Sequence, residues 1–279
     1  MSKLSFKHIA GIALTAAVIS STANASPISA SGTVNDNYWG ADPTGNYSNR
    51  DIIGSSSNFN VRSMNWSLEG TILEIRILTD FALSGLGTFG SYTKADPNGD
   101  FAAGSGISFG DLFLSSSWNP VGSAANKYSN DNMYNGTKWE YGFSLDNRLS
   151  STGGEGDWYD LTGCADNQSC IHDSNDYLQN AIFREGQEIS VDRDASGVTA
   201  IQQNTWSISG SNPGEVIFNF NIAGTNLEYS ETIAFHWAMS CGNDTIEGEF
   251  SKPVPEPASM ALLSIGIAGL GLVRRRKQS

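Results

Sequence analysis

The chain has 279 residues, three cysteines, 30 glycines and a formal net charge of −13. Setting aside the leader Lys3 and Lys7, the four tail cations and Glu256 leaves 10 cations against 28 acids across residues 26–253, about −18. Such a field repels nucleic acid and anionic headgroups and attracts divalent cations, so nucleic acid is excluded as a partner.

Residues 1–25 carry Lys3 and Lys7, an apolar stretch from Ile9 to Ile19, and Ala23-Asn24-Ala25. That order is a secretory signal peptide with cleavage after Ala25. Residues 26–252 follow as one extracytoplasmic domain, long enough for a substantial core. Gly32 to Asn49 reads as a loop-rich entry with little to bury. Phe59 to Leu68 then alternates, with Met64, Trp66 and Leu68 on one face. Across a Glu69-Gly70 turn, Thr71 to Asp80 places Leu73, Ile75 and Ile77 on one face and Glu74 and Arg76 on the other. Two alternating runs flanking a turn predict a hairpin.

Ile107 to Leu114 is a further strand, as is the run in which Trp139, Tyr141, Phe143 and Leu145 oppose Glu140, Ser144 and Asp146. Asp173 to Arg184 is the one segment with a helical pattern. Glu188 to Asp194, Asn204 to Ser209 and Glu215 to Ile222 are strands, the last with Val216, Phe218 and Phe220 inward. Thr232 to Ser240 closes the domain with Ile233, Phe235, Trp237 and Met239 in phase. About eight alternating strands joined by Gly, Asn and Asp turns predict an all-β fold, a two-sheet antiparallel sandwich of jelly-roll type. A closed barrel is the competing architecture.

Export exposes Cys164, Cys170 and Cys241 to an oxidising compartment. Cys164 and Cys170 are the favoured disulfide pair, leaving Cys241 free, although three single bridges are open. Asp-rich turns at 36–51, 96–100, 130–132 and 243–244 offer the hard oxygens that Ca²⁺ takes, so calcium is the candidate cofactor, with no single loop preferred. The same residues also dominate turns for backbone reasons alone. Trp39, Trp118 and Trp158 fall in loop contexts and are the candidate carbohydrate contacts. Trp66, Trp139, Trp206 and Trp237 belong to apolar strand faces. His236 lies out of phase with Phe235 and Trp237, and a hydrogen bond within the sheet is expected for it rather than a zinc site with His172. No G-x-S-x-G, H-E-x-x-H or P-loop occurs, so no catalytic role is expected.

The last stretch is the most specific. Residues 253–257 form a linker containing Pro255-Glu256-Pro257, which the prolines hold out of helix and sheet ladders. An apolar run of 16 residues follows, 258–273, about 24 Å long as a helix and a little short of a ~30 Å hydrocarbon core. Arg274, Arg275, Arg276 and Lys277 head the basic tail, 274–279, held on the cytoplasmic side by the positive-inside bias. This order resembles the PEP-CTERM sorting signal of Gram-negative bacteria. The segment Phe235 to Gly248 also resembles a block found in other PEP-CTERM proteins. The resemblance implies an exosortase as partner alongside the secretion machinery, and a transient stay in the inner membrane. It implies final delivery to the cell surface or medium, and a structural or adhesive role in exopolysaccharide or biofilm. A carbohydrate-binding module and a secreted polysaccharide-active enzyme are the alternatives.

Overall fold

In the computed structural model, residues 29–211 and 213–252 are described. The expected leader at 1–25, the apolar helix at 258–273 and the basic tail lie outside them. Among the described residues no helix is long and apolar enough to cross a membrane.

Among the described residues, twelve strands follow one another. The first six are β1 (Ser29–Asn35), β2 (Val61–Glu69), β3 (Ile72–Thr79), β4 (Phe109–Ser115), β5 (Tyr141–Leu145) and β6 (Gly153–Asp160). The remainder are β7 (Ile171–Asp173), β8 (Glu188–Val191), β9 (Thr199–Gly210), β10 (Gly214–Asn221), β11 (Thr232–Met239) and β12 (Thr245–Ser251). Ten of them make a single antiparallel sheet in the order β1-β2-β3-β10-β9-β6-β5-β4-β11-β12, and β7 pairs with β8 separately.

The two-sheet sandwich is therefore corrected to one curled sheet that nearly closes. Its ends approach where Trp66 of β2 stacks on Phe250 of β12, ring centroids 4.3 Å apart. Cross-strand register explains why curling is favoured. Trp66, Ile75, Phe218 and Trp206 stand opposite one another in turn across β2, β3, β10 and β9, and all four are buried. Rows of large apolar side chains on one face must be covered, and a sheet of this width covers them by folding over itself.

The second layer decides where the polar chemistry sits. β7–β8 lies against β4, β5 and β11, so those strands are buried on both faces. A Cβ at Gly110 would stand 3.0 Å from the Ile189 carbonyl oxygen of β8, and one at Gly142 2.4 Å from Val191 Cγ2. Glycine at these two positions is what allows the layers to approach. Between them lies a smaller core of Phe113, Trp139, Leu161, Ile171 and Val191, closed at one side by the Cys164–Cys170 disulfide. Cys241 is buried and unbridged.

Three local expectations change. Asp173 to Arg184 holds only one helical turn, Ser174–Tyr177, capped by Asp173. It stops because Tyr177 turns inward to donate to Ser190 Oγ at 2.7 Å, and Leu178 is already extended. The chain does not close at Ser240, since β12 adds a further edge strand. The entry loop also has more to bury than its composition suggests, for Tyr38 and Ala41 are both buried.

Candidate functional site

Two polar centres and one cleft stand out. The first centre is organised by His236 on β11, whose side chain points away from the main core and under β8. Its Nδ1 lies 3.0 Å from Glu247 Oε2 on the neighbouring β12, and its Nε2 lies 3.0 Å from the Glu188 carbonyl oxygen on β8. A carbonyl can only accept, so Nε2 carries a proton.

Around this pair the acids are sealed in. Trp118 Nε1 donates to Glu247 Oε1 at 2.7 Å, and Trp139 Nε1 to Glu188 Oε1 at 3.1 Å. Tyr38 donates from its hydroxyl to Asp131 Oδ2 at 3.1 Å. Burial pushes Glu188 and Glu247 up to about 7 and Asp131 up to about 8. Glu247 and Asp131 both lie at 5% exposure or less, so no described opening brings a substrate to them.

The second centre lies where the entry loop meets the β11–β12 turn. Asp36 follows β1, Asp51 sits late in the loop, and Asp244 immediately precedes β12. One carboxylate oxygen from each lies within 4.8 Å of those from the other two. Arg184, wholly buried beside them, donates from Nε to Gly242 O, from Nη1 to Gly40 O and Tyr47 O, and from Nη2 to Arg50 O and Asp51 O. Its five N–H groups are thus all given to backbone carbonyls, and the loop is wound around it. Burial, followed by the neighbouring carboxylates, holds Asp36 and Asp244 well above the usual carboxylate range, and burial raises Asp51.

The cleft, about 870 Å³, lies beside that loop and is lined by Tyr47, Arg50, Phe89, Tyr92, Asn180 and Asn243 among others. Phe89 and Tyr92 are 52% and 40% exposed. Phe89 has φ of 57°, a left-handed conformation that a bulky residue rarely adopts.

Against these centres, the three candidate tryptophans separate. Trp158 is corrected from a carbohydrate contact to a core residue: it is 0% exposed on β6, stacked between Tyr141 and Phe220 at 5.3 and 4.6 Å. Its loop context was misleading because β6 is rich in Gly and Asp, yet pairs on both sides with β5 and β9. Trp118 is half-buried, its indole N–H given to Glu247. Trp39 is half-buried, its backbone N–H donating to Lys127 O at 2.9 Å. His172 sits apart from His236, with Nδ1 3.4 Å from Asp176 Oδ2.

Of the Asp-rich turns, 36–51 and 243–244 come together at the second centre. Those at 96–100 and 130–132 join separate networks, around Arg148 and Tyr38. Composition did not reveal Arg148, Arg184, Glu188 or Glu247. The one available signal was scarcity: with 10 cations in the domain, an arginine amid Asp-rich turns is a candidate for burial.

The described residues thus define an acidic, nearly closed antiparallel β domain with sealed polar centres. At the end of the chain, residues 253–277 match the PEP-CTERM protein-sorting motif. The chain therefore carries the sorting signal of an exported, exosortase-processed protein; Pro255, Glu256, Pro257 and Arg274 to Arg276 fall within the match, outside the described residues. No curated protein and no solved structure matches the chain.

Proposed function

We propose that this protein is a structural or adhesive component of an exopolysaccharide or biofilm matrix. The apolar segment 258–273 would tether it in the inner membrane until an exosortase cuts near Pro255–Pro257. The observation that carries the reading is the sorting motif at 253–277 behind an acidic β domain. Replacing Pro255, Glu256 and Pro257 together by Ala is expected to leave export intact. It should reduce the processed form at least tenfold, with the full-length chain accumulating in the membrane fraction. Deleting the host's exosortase should give the same pattern on immunoblots of fractionated cells. Unchanged processing in the triple variant would count against the reading.

A second reading, carbohydrate binding, is favoured by the cleft rather than by the tryptophans. Exposed aromatic faces beside Arg50 and Asn180 suit a sugar ring, whose C–H face is apolar and whose hydroxyls need partners. Phe89→Ala with Tyr92→Ala is expected to weaken binding to the organism's own exopolysaccharide by tenfold or more in affinity electrophoresis. Trp158→Phe should leave binding unchanged. Retention of full affinity by the double variant would remove the cleft from consideration.

A further inference from the structure

We propose that Asp36, Asp51 and Asp244 form a binding site for one divalent cation, of the Ca²⁺ class, that fastens the entry loop to the β11–β12 turn. The site does not depend on the matrix role proposed above.

The first argument is charge. Three carboxylates share a volume in which no described lysine or arginine comes within ion-pair distance of any of them. The one buried cation nearby, Arg184, has given every N–H to a carbonyl oxygen and has none left for a carboxylate. Arginine here shapes the loop and lends only its distant charge. A divalent ion supplies what it does not, direct coordination and a second positive charge.

The second argument is an orphaned oxygen. Asp36 Oδ1 accepts from Tyr38 N at 3.2 Å, whereas Asp36 Oδ2 is buried with no hydrogen-bond partner among the described residues. The side chain as a whole is partly buried. Buried acceptors are nearly always satisfied, and an unpartnered oxygen on a carboxylate clustered with two others can be satisfied by a cation or by a proton. Asn243, next to Asp244, has a second such oxygen, Oδ1, in a side chain only 4% exposed overall.

The third argument is size. Two oxygens bound ~2.4 Å from one Ca²⁺ are at most about 4.8 Å apart. The trio meets that bound, two oxygens coming from the entry loop and one from the β11–β12 turn. Hard oxygen donors with no nitrogen or sulfur among them select calcium or magnesium over zinc, and irregular spacing from two loops suits calcium's flexible shell better than magnesium's octahedron.

The site also fits the direction of travel. Asp244 Oδ2 accepts from Val61 N at 2.6 Å, and Ile53 N donates to Asn243 O at 2.8 Å, so the turn already anchors both ends of the segment leading into β2. An ion at Asp36 and Asp51 closes the remaining side. Extracellular modules bind calcium at about 10⁻⁴ to 10⁻³ M, a level met outside the cell, so loading would follow export.

The test uses the purified full chain in 0.15 M NaCl. Equilibrium dialysis with radioactive calcium should show one saturable site per chain. Calcium at a hundredfold excess over its Kd should raise Tm by roughly 5–10 °C relative to EGTA. Asp36→Asn with Asp51→Asn should lower affinity at least tenfold and abolish the shift, while its Tm in EGTA stays at or above that of the wild type because repulsion is removed. Asp244 is left intact, since its carboxylate also caps Val61 and Thr245. A control with Glu69→Gln and Glu249→Gln removes the same charge from exposed positions and should bind like the wild type. The proposal is overturned if the wild type shows no saturable site up to 10 mM, which is the result expected if shared protons neutralise the trio. It is equally overturned if the Asp36/Asp51 variant binds as the wild type does, or if the exposed control loses binding to the same degree.

Discussion

Arg148→Met is expected to destabilise the domain by about 3–5 kcal/mol, the cost of leaving buried carboxylates without their cation. Arg148 is 0% exposed. It donates to Asp111 Oδ1 at 2.6 Å and Oδ2 at 3.1 Å, a two-pronged pair inside the protein. Its Nε lies 3.1 Å from Asp96 Oδ2 and 3.4 Å from Asp100 Oδ2 without hydrogen-bond alignment, so those contacts contribute charge attraction alone. Asp111 in turn accepts from Leu145 N and Val191 N, which ties β4 to β5 and to the covering strand β8. Removing the guanidinium strands Asp111 between two layers that exclude water. Arg193 holds Asp100 through two bonds of 3.1 Å and cannot move to replace it.

The double variant Asp111→Asn with Arg148→Met should be less destabilised than the sum of the singles, because the charge left unpaired in Arg148→Met is also removed. Urea unfolding of the four proteins measures this directly. A cost below 1 kcal/mol for Arg148→Met would show that water reaches Asp111.

Stability should fall as pH rises from 4.5 to 8, and much of the fall should pass through Glu247. Burial raises the folded-state pKa of Glu247 and Glu188 to about 7 and of Asp131 to about 8. The unfolded chain releases these protons near pH 4 to 4.5, whereas the folded chain keeps them until pH 7 or 8. Over that interval the native state binds more protons, so stability declines with pH. The contribution is fully present below about pH 4 and is lost as pH passes through 7 to 8. Moving Glu247 alone from 4.5 to about 7 corresponds to about 3 kcal/mol, or roughly 6–12 °C in Tm for a domain of this size.

Glu247→Gln should flatten the profile and match or exceed wild-type stability at pH 8. The amide oxygen still accepts from Trp118, and the amide N–H can donate to His236 Nδ1. Thermal unfolding of both proteins across pH 4.5–8 at fixed calcium reads the difference. A wild-type profile parallel to that of Glu247→Gln would mean that Glu247 titrates as an ordinary exposed acid.

How much of this was legible beforehand varies along the chain. The strands with strict alternation could be read directly: Leu73, Ile75 and Ile77 on β3 and Val216, Phe218 and Phe220 on β10 face inward as their spacing requires. β1, β6 and β12 were not legible. Ser29 to Asn35 and Gly153 to Asp160 are built from small and polar residues, and their strand character comes from the partners that hydrogen-bond to them. On β5 a polar residue type does not mark an exposed face: Ser144 is 0% exposed where β8 packs against the strand. The Asp-rich turns at 36–51 and 243–244 were recognisable as oxygen donors, but their meeting was not. Nearly two hundred residues separate them, and only the return of β11 and β12 to the entry loop joins them.

Some properties of this protein follow from composition and local order alone. Export, acidity, β class and the sorting motif at 253–277 depend on short-range pattern and net charge, which the chain carries whether folded or not. Tertiary structure decided the rest. It set one curled sheet instead of two, the sealing of Glu188, Glu247 and His236, the commitment of Arg184 to five carbonyls, and the company of Asp36, Asp51 and Asp244. The physical reason is that desolvation and charge pairing depend on which surfaces exclude water together, and that is a property of long-range packing.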